Sequence, residues 1–294
     1  MHHTVIGLTS ASVLIVFALA FVSFCYVRGW SRKRGAPSAI PTWRLASFLS
    51  GMLLVWGALA SPLAAYDHDL LTIHMIQHLL LMTFAPALIL LGEPLLAIRP
   101  ELSRLRKLAA PSRPHRPTVQ QLGRSLPWLV LCWTASALTL LAWHVPALFA
   151  FGMSSPFWHS AELVSFFVAG VLFWWPVIQP WPSVSAGPQW STLLYLFLAT
   201  LPCDILSGYL VFSDRVAYPV YFSAPRRLGF TVLADQQCAA ALMWTCVTLV
   251  YLVPAVILST QLLSPRISSN TALSKPESRS DQTAHNDPQR LEAV

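Results

Sequence analysis

The chain has 294 residues, 55% of them apolar and 11% charged, with mean hydropathy +0.57 and net charge +7. Soluble domains carry about a quarter charged residues, so composition excludes a soluble globule, and the high hydrophobicity excludes disorder for most of the length. The basic residues stand in short blocks between apolar runs, which argues against nucleic acid as a partner, and five cysteines without a CxxC pair make no disulfide framework.

A bilayer core about 30 Å thick needs roughly 20 apolar residues per helix. Seven runs meet this, at 5–27, 44–64, 70–92, 126–151, 157–177, 189–212 and 236–263. None alternates with period two over strand-length units, so a β-barrel is not expected. The expected fold is all-α: a polytopic membrane protein built as a seven-transmembrane-helix bundle. The first run follows Met-His-His-Thr and precedes Arg28, Arg32, Lys33 and Arg34. A signal peptide carries its positive charge ahead of the apolar stretch, so this run reads as a retained helix. With the N-terminus outside, sixteen of the 19 lysines and arginines fall on the cytoplasmic side, and only Arg215, Arg226 and Arg227 fall outside. The positive-inside rule therefore expects the N-terminus outside and the C-terminus in the cytoplasm.

Residues 1–263 read as one membrane domain. Residues 264–294, rich in Ser, Pro, Asn, Asp and Gln, read as a disordered cytoplasmic tail. Between the third and fourth runs, Leu102, Leu105 and Leu108 alternate with Arg104, Arg106 and Lys107. That pattern predicts a short basic amphipathic helix on the inner lipid surface.

Ionisable groups inside a membrane are costly and are functional candidates by default. In the third run His74 and His78 are spaced i,i+4, so both imidazoles can reach one metal ion, and Met82 continues that face. The preceding Asp67, His68 and Asp69 read as a solvated turn. The fourth run adds His144. In the fifth, His159 and Glu162 share a face at i,i+3, and Glu162 can orient a ligating imidazole. The sixth adds Asp204. At about 1.5 Å rise per residue these groups lie within roughly 12 Å of the outer helix ends, in one polar layer. Met153, Cys203, Cys238 and Met243 are softer donors at similar depth, and imidazole with thioether or thiolate suits Cu(I). Each residue also has a plainer role. Histidines hold bundles together by interhelical hydrogen bonds, His159 stands near the interface, and Met and Cys in apolar helices are usually packing.

Several stretches together resemble a known family. They are His74-Met-Ile-Gln-His78-Leu-Leu-Leu with Ala85-Pro86 and Leu91-Gly92-Glu-Pro94, and His159-Ser-Ala-Glu162 with Phe173-Trp174-Trp175-Pro176. To these add Pro202, Gly208, Tyr218-Pro219-Val-Tyr221, Asp235-Gln236-Gln237 and Met243-Trp244. From about residue 43 to 260 the chain resembles the multi-pass CtaG family of cytochrome c oxidase assembly factors. The resemblance implies a bacterial plasma-membrane protein, not an enzyme, that helps assemble a haem–copper oxidase. A part in copper delivery is commonly proposed for that family. The implied partners are cytochrome c oxidase subunits, the lipid bilayer and a copper donor protein.

His74, His78, His159 and Glu162 carry over as site positions, with Asp235 and Gln236 as further motif positions. The family often has a second His directly after the helix-five Glu; here Leu163 stands in that place. That reduces or shifts the implied ligand set, with His144 available to compensate. The expected metal site is therefore His74, His78, His144 and His159, binding copper as Cu(I), supported by Glu162, Asp204, Asp235 and Gln236. Paired histidines on facing helices equally suit the axial positions of a b-type haem, and a cofactor-free scaffold is a further alternative. A copper permease fits less well, because the inner halves of the runs lack comparable donors.

Overall fold

The computed structural model describes residues 10–34, 40–95, 97, 126–178, 189–225 and 229–263. The basic segment 100–108 and the tail 264–294 lie outside the described residues, as do His2, His3, His115 and His285. The described secondary structure is all-helical. The long helices are α1 (Ser10–Lys33), α2 (Thr42–Ala60), α3 (Leu71–Leu91), α4 (Leu126–Trp143), α6 (Pro156–Ile178), α7 (Gln189–Phe212) and α8 (Val232–Leu263). A short α5 (Pro146–Gly152) follows α4. Among the described residues six helices are long and apolar enough to cross a membrane, and a seventh crossing results if α4 and α5 form one span.

The run expected at 126–151 is broken. Trp143 ends α4, His144 and Val145 turn, and α5 leaves at 82°. Pro146 explains the corner: it cannot donate to the preceding turn but suits the first position of a new helix.

Contacts arrange α3, α8, α7, α4 and α6 as a closed ring, each packed on the next and α6 returning to α3. Helix α2 packs on the outside of α3, and α1 packs on α2. The ring surrounds a largely apolar cleft to which all five helices contribute, for example Met75, Trp133, Phe166, Cys203 and Met243. Outward faces carry exposed Phe17, Leu138, Phe197, Ile205 and Phe212, the surface that a lipid environment requires.

Helix α3 is the pivot of this arrangement. Pro86 has no N–H to offer the carbonyl of Met82, and the helix loosens into one π turn over Leu80–Phe84. Gly170 of α6 approaches there so closely that a Cβ would collide with the Met82 carbonyl. At one end of the bundle, Tyr26 donates to the Gly92 carbonyl at 2.6 Å and Arg44 pairs with Glu93. Glu93 has φ 48°, in the left-handed region, where α3 stops. The other end, the rim, gathers the loop residues 61–70, 144–155, 213–225 and 229–231.

Candidate metal centre

The first turns of α3 begin at the rim, and a residue from α8 sets that start. The Asp235 carboxylate accepts from the backbone N–H of Leu71 at 2.7 Å and of Thr72 at 3.2 Å, and from the Thr72 hydroxyl at 2.6 Å. A helix leaves its first N–H groups unpaired, and Asp235 serves them from a distant part of the chain. Its neighbour Gln236 accepts from the Ala217 N–H at 2.7 Å and donates to the Arg215 carbonyl at 3.2 Å, tying down the loop before α8. Both motif positions therefore act as fasteners, Asp235 of the helix that carries His74 and Gln236 of the loop before α8.

His74 and His78 lie one turn apart on the buried face of α3, with side chains 0% and 5% exposed. Across from them Glu162 of α6 is fully buried. Glu162 Oε1 lies 3.5 Å from His74 Nε2 and 3.4 Å from His78 Nε2. One ligand atom from each of these three residues lies within 4.8 Å of the others. Both nitrogens of each imidazole and both carboxylate oxygens lack a hydrogen bond of proper geometry. Buried polar atoms are nearly always satisfied, so three side chains with unpartnered atoms, one ligand atom of each close to the others, form a donor set that suits a cation. Gly152 of α5 leaves the room: a Cβ there would stand 2.8 Å from Glu162 Oε2 and 3.1 Å from the Trp143 ring. Phe149 of α5, 1% exposed, covers His74 at a ring separation of 5.0 Å.

His144 sits at the α4–α5 corner. Its Nδ1 lies 2.7 Å from the Leu140 carbonyl. A carbonyl only accepts, so this nitrogen carries a proton, and in the neutral ring Nε2 then keeps a lone pair. That Nε2 is buried without a partner. His144 faces His78 at a ring separation of 6.1 Å, and both line the cleft with Met75, Met82, Cys203 and Met243. Soft donors thus lie next to the His–Glu cluster rather than within it. Met153 packs among Leu71, Phe149 and Tyr218, and Cys238 is exposed.

His159 opens toward the rim. Its Nε2 is 3.0 Å from Asp67 Oδ2, and its Nδ1 is 3.7 Å from Glu162 Oε2. At 8% exposure it is buried rather than solvated at an interface. Asp67, expected in a solvated turn, is also buried at 7%. Its Oδ1 accepts from the His68 N–H at 2.7 Å, and its Oδ2 from the Gln77 amide at 3.3 Å. Gln77 also donates to the Ala58 carbonyl at 3.0 Å, clipping α3 to the end of α2. The Tyr221 hydroxyl donates to the Asp67 carbonyl at 2.9 Å. Burial opposes the charge of Asp67, but the imidazole of His159 3.0 Å away, with His68 and His74 behind it, holds its carboxyl below the usual aspartate value. Burial, reinforced by nearby carboxylates, pushes the Tyr221 phenol well up and keeps it a donor.

The structure thus brings His74, His78, His144, His159 and Glu162 to one region between α3, α4 and α6. Asp204 lies neither in the cluster nor among the residues that line the cleft, although its neighbour Cys203 does. Leu163 packs with Val55, Ala58, Leu81 and Ala85, on a face that looks away from the cluster. Asp67, Gln77 and Gly152 belong to the site and were not among the expected site residues. Only the polarity of Gln77 within an apolar run marks it in the sequence.

A family model described as cytochrome c oxidase caa3 assembly factor matches residues 24–264. The chain is also similar to an uncharacterized protein of Mycobacterium leprae, 25% identical over 254 residues, which are 80% of this chain and 36% of that protein. An uncharacterized protein of Mycobacterium bovis and one of Mycobacterium tuberculosis are each 25% identical over 270 residues, 84% of this chain and 38% of each relative. The chain spans little more than a third of the length of these curated relatives. No solved structure matches.

Proposed function

The chain belongs to the cytochrome c oxidase caa3 assembly factor family, and from that premise we propose that it aids assembly by carrying copper as cargo to an oxidase subunit. His74 and His78 hold the ion, and Glu162 stands opposite them. The observation that carries this reading is the set of buried, unpartnered nitrogens and oxygens on these three side chains. Two imidazoles suit copper in either oxidation state. The carboxylate offsets the charge of Cu(I) where burial makes a bare charge expensive. His144, whose neutral ring would donate from Nδ1 to Leu140 and leave Nε2 as a ligand atom, is the next donor beside His78. An incomplete, exchangeable shell suits a carrier better than a storage site. The excess of Lys and Arg in the segments at 28–44, 93–125 and 264–294 supports reading the rim as the outer side of a bacterial plasma membrane.

The test is metal content and oxidase assembly in parallel. Purified protein exposed anaerobically to Cu(I) is expected to retain copper, and the His74→Ala/His78→Ala double variant to lose the ion held at this cluster. Cells carrying the double variant, with the protein still in the membrane, are expected to lose most active oxidase. Full oxidase activity in those cells would sink the copper role in favour of a scaffold, and iron at one or two atoms per chain would replace it with a cytochrome.

A further inference from the structure

A second group of donors stands between the buried cluster and the rim. Asp67, His68 and His159 each offer a ligand atom, and these atoms lie within 4.8 Å of one another. Its composition, two imidazoles and one carboxylate, repeats that of His74, His78 and Glu162. His68 is 55% exposed at its side chain, whereas the side chains of Asp67 and His159 are 10% exposed. The group therefore has one ligand in solvent and two in the protein wall.

His159 connects the two groups. Its two nitrogens point to different carboxylates, Nε2 to Asp67 and Nδ1 to Glu162. Neither nitrogen makes a hydrogen bond of proper geometry. The ring lies 5.4 Å from that of His68 on one side and 5.4 Å from that of His74 on the other. A plain ion pair that pins the loop would use Asp67 and His159 and would give His68 no part.

We propose that Asp67, His68 and His159 form a capture site at the rim that loads the buried His74–His78–Glu162 cluster, with His159 handing the metal from one carboxylate to the other. The step is ligand exchange: bonds to His68 and Asp67 are replaced by bonds to His74, His78 and Glu162, with no change in oxidation state. Matched donor sets keep the two positions close in affinity, so the ion moves without falling into a trap. Solvent exposure of His68 gives the incoming ion its first ligand. The proposal rests on the reading of the buried cluster as a metal site, and its test separates the two.

Full-length protein in lipid nanodiscs is loaded anaerobically with Cu(I), and copper per chain and loading rate are measured. Wild type is expected to hold two ions. His68→Ala, an exposed change that leaves the packing intact, is expected to hold one and to load at least tenfold more slowly. The His74→Ala/His78→Ala variant is expected to hold one ion, at the rim. A wild type with a single ion, unaffected by His68→Ala and lost in the double variant, overturns the capture site and leaves the buried site standing. No retained copper in any form overturns both.

Discussion

Glu162 is the residue on which the site turns. Its carboxylate is fully buried, its neighbours are His74, His78 and His159, and the only basic groups the structure shows against it are imidazoles. Gly152 is what lets it stand there. An added methyl group would stand 2.8 Å from Glu162 Oε2 and 3.1 Å from the Trp143 ring, so the carboxylate has to shift from its place. Gly152→Ala is expected to weaken copper retention about 10- to 100-fold, the range for disturbing the supports of a metal ligand, while the protein remains folded by circular dichroism. Unchanged retention would show that Glu162 does not take part in holding the ion. His74, His78 and Glu162 were legible in the sequence because spacing alone puts two of them on one face and a membrane run makes each costly. Asp67 was not, since a charged residue between runs reads as solvated until Tyr221, Gln77 and His159 are seen to close over it. Gly152 carried no signal at all, because its meaning lies in what another helix places beside it.

Helices gain their meaning from how their ends are held. The start of α3 depends on Asp235, 164 residues further along the chain from Leu71, which takes the place of a local cap. Removing a capping oxygen costs roughly 1–2 kcal/mol. Asp235→Ala is expected to lower stability by about that amount in denaturant unfolding of the detergent-solubilised protein, and to loosen His74 in the next turn. Asp235→Asn, which keeps one acceptor oxygen, is expected to lose less. Equal stability of all three forms would refute the capping role. The sequence marked Asp235 and Gln236 as motif positions, but not as fasteners, because their partners are remote in the chain. The same limit applies to α4. The residues at 126–151 read as one run, and only the turn at His144 and Val145 shows Pro146 as the start of a corner of 82° that swings Phe149 over the site.

At the scale of the molecule, run length and hydropathy announced the helices, whereas their order around the ring had to come from packing. Runs of similar apolar character do not say that α3 sits between α2, α6 and α8. The side of the membrane to which the rim belongs follows instead from charge. Arg28, Arg32, Lys33, Arg34 and Arg44 mark the end opposite the rim, and the loop between α7 and α8 contributes Arg215 at the rim. Lysine and arginine are retained on the cytoplasmic side, so the expected orientation turns the rim, with His68 exposed in it, outward, as the proposed copper role requires. In a cysteine-free background, Leu63→Cys at the rim is 48% exposed in the parent side chain. It is expected to react with a membrane-impermeant maleimide in intact cells. Ser31→Cys, at the end of α1 among the arginines, is expected to react only after the membrane is opened. The reverse pattern would turn the bundle over and place the metal cluster toward the cytoplasm. The geometry of the site would survive that result, but delivery to an outer acceptor would not.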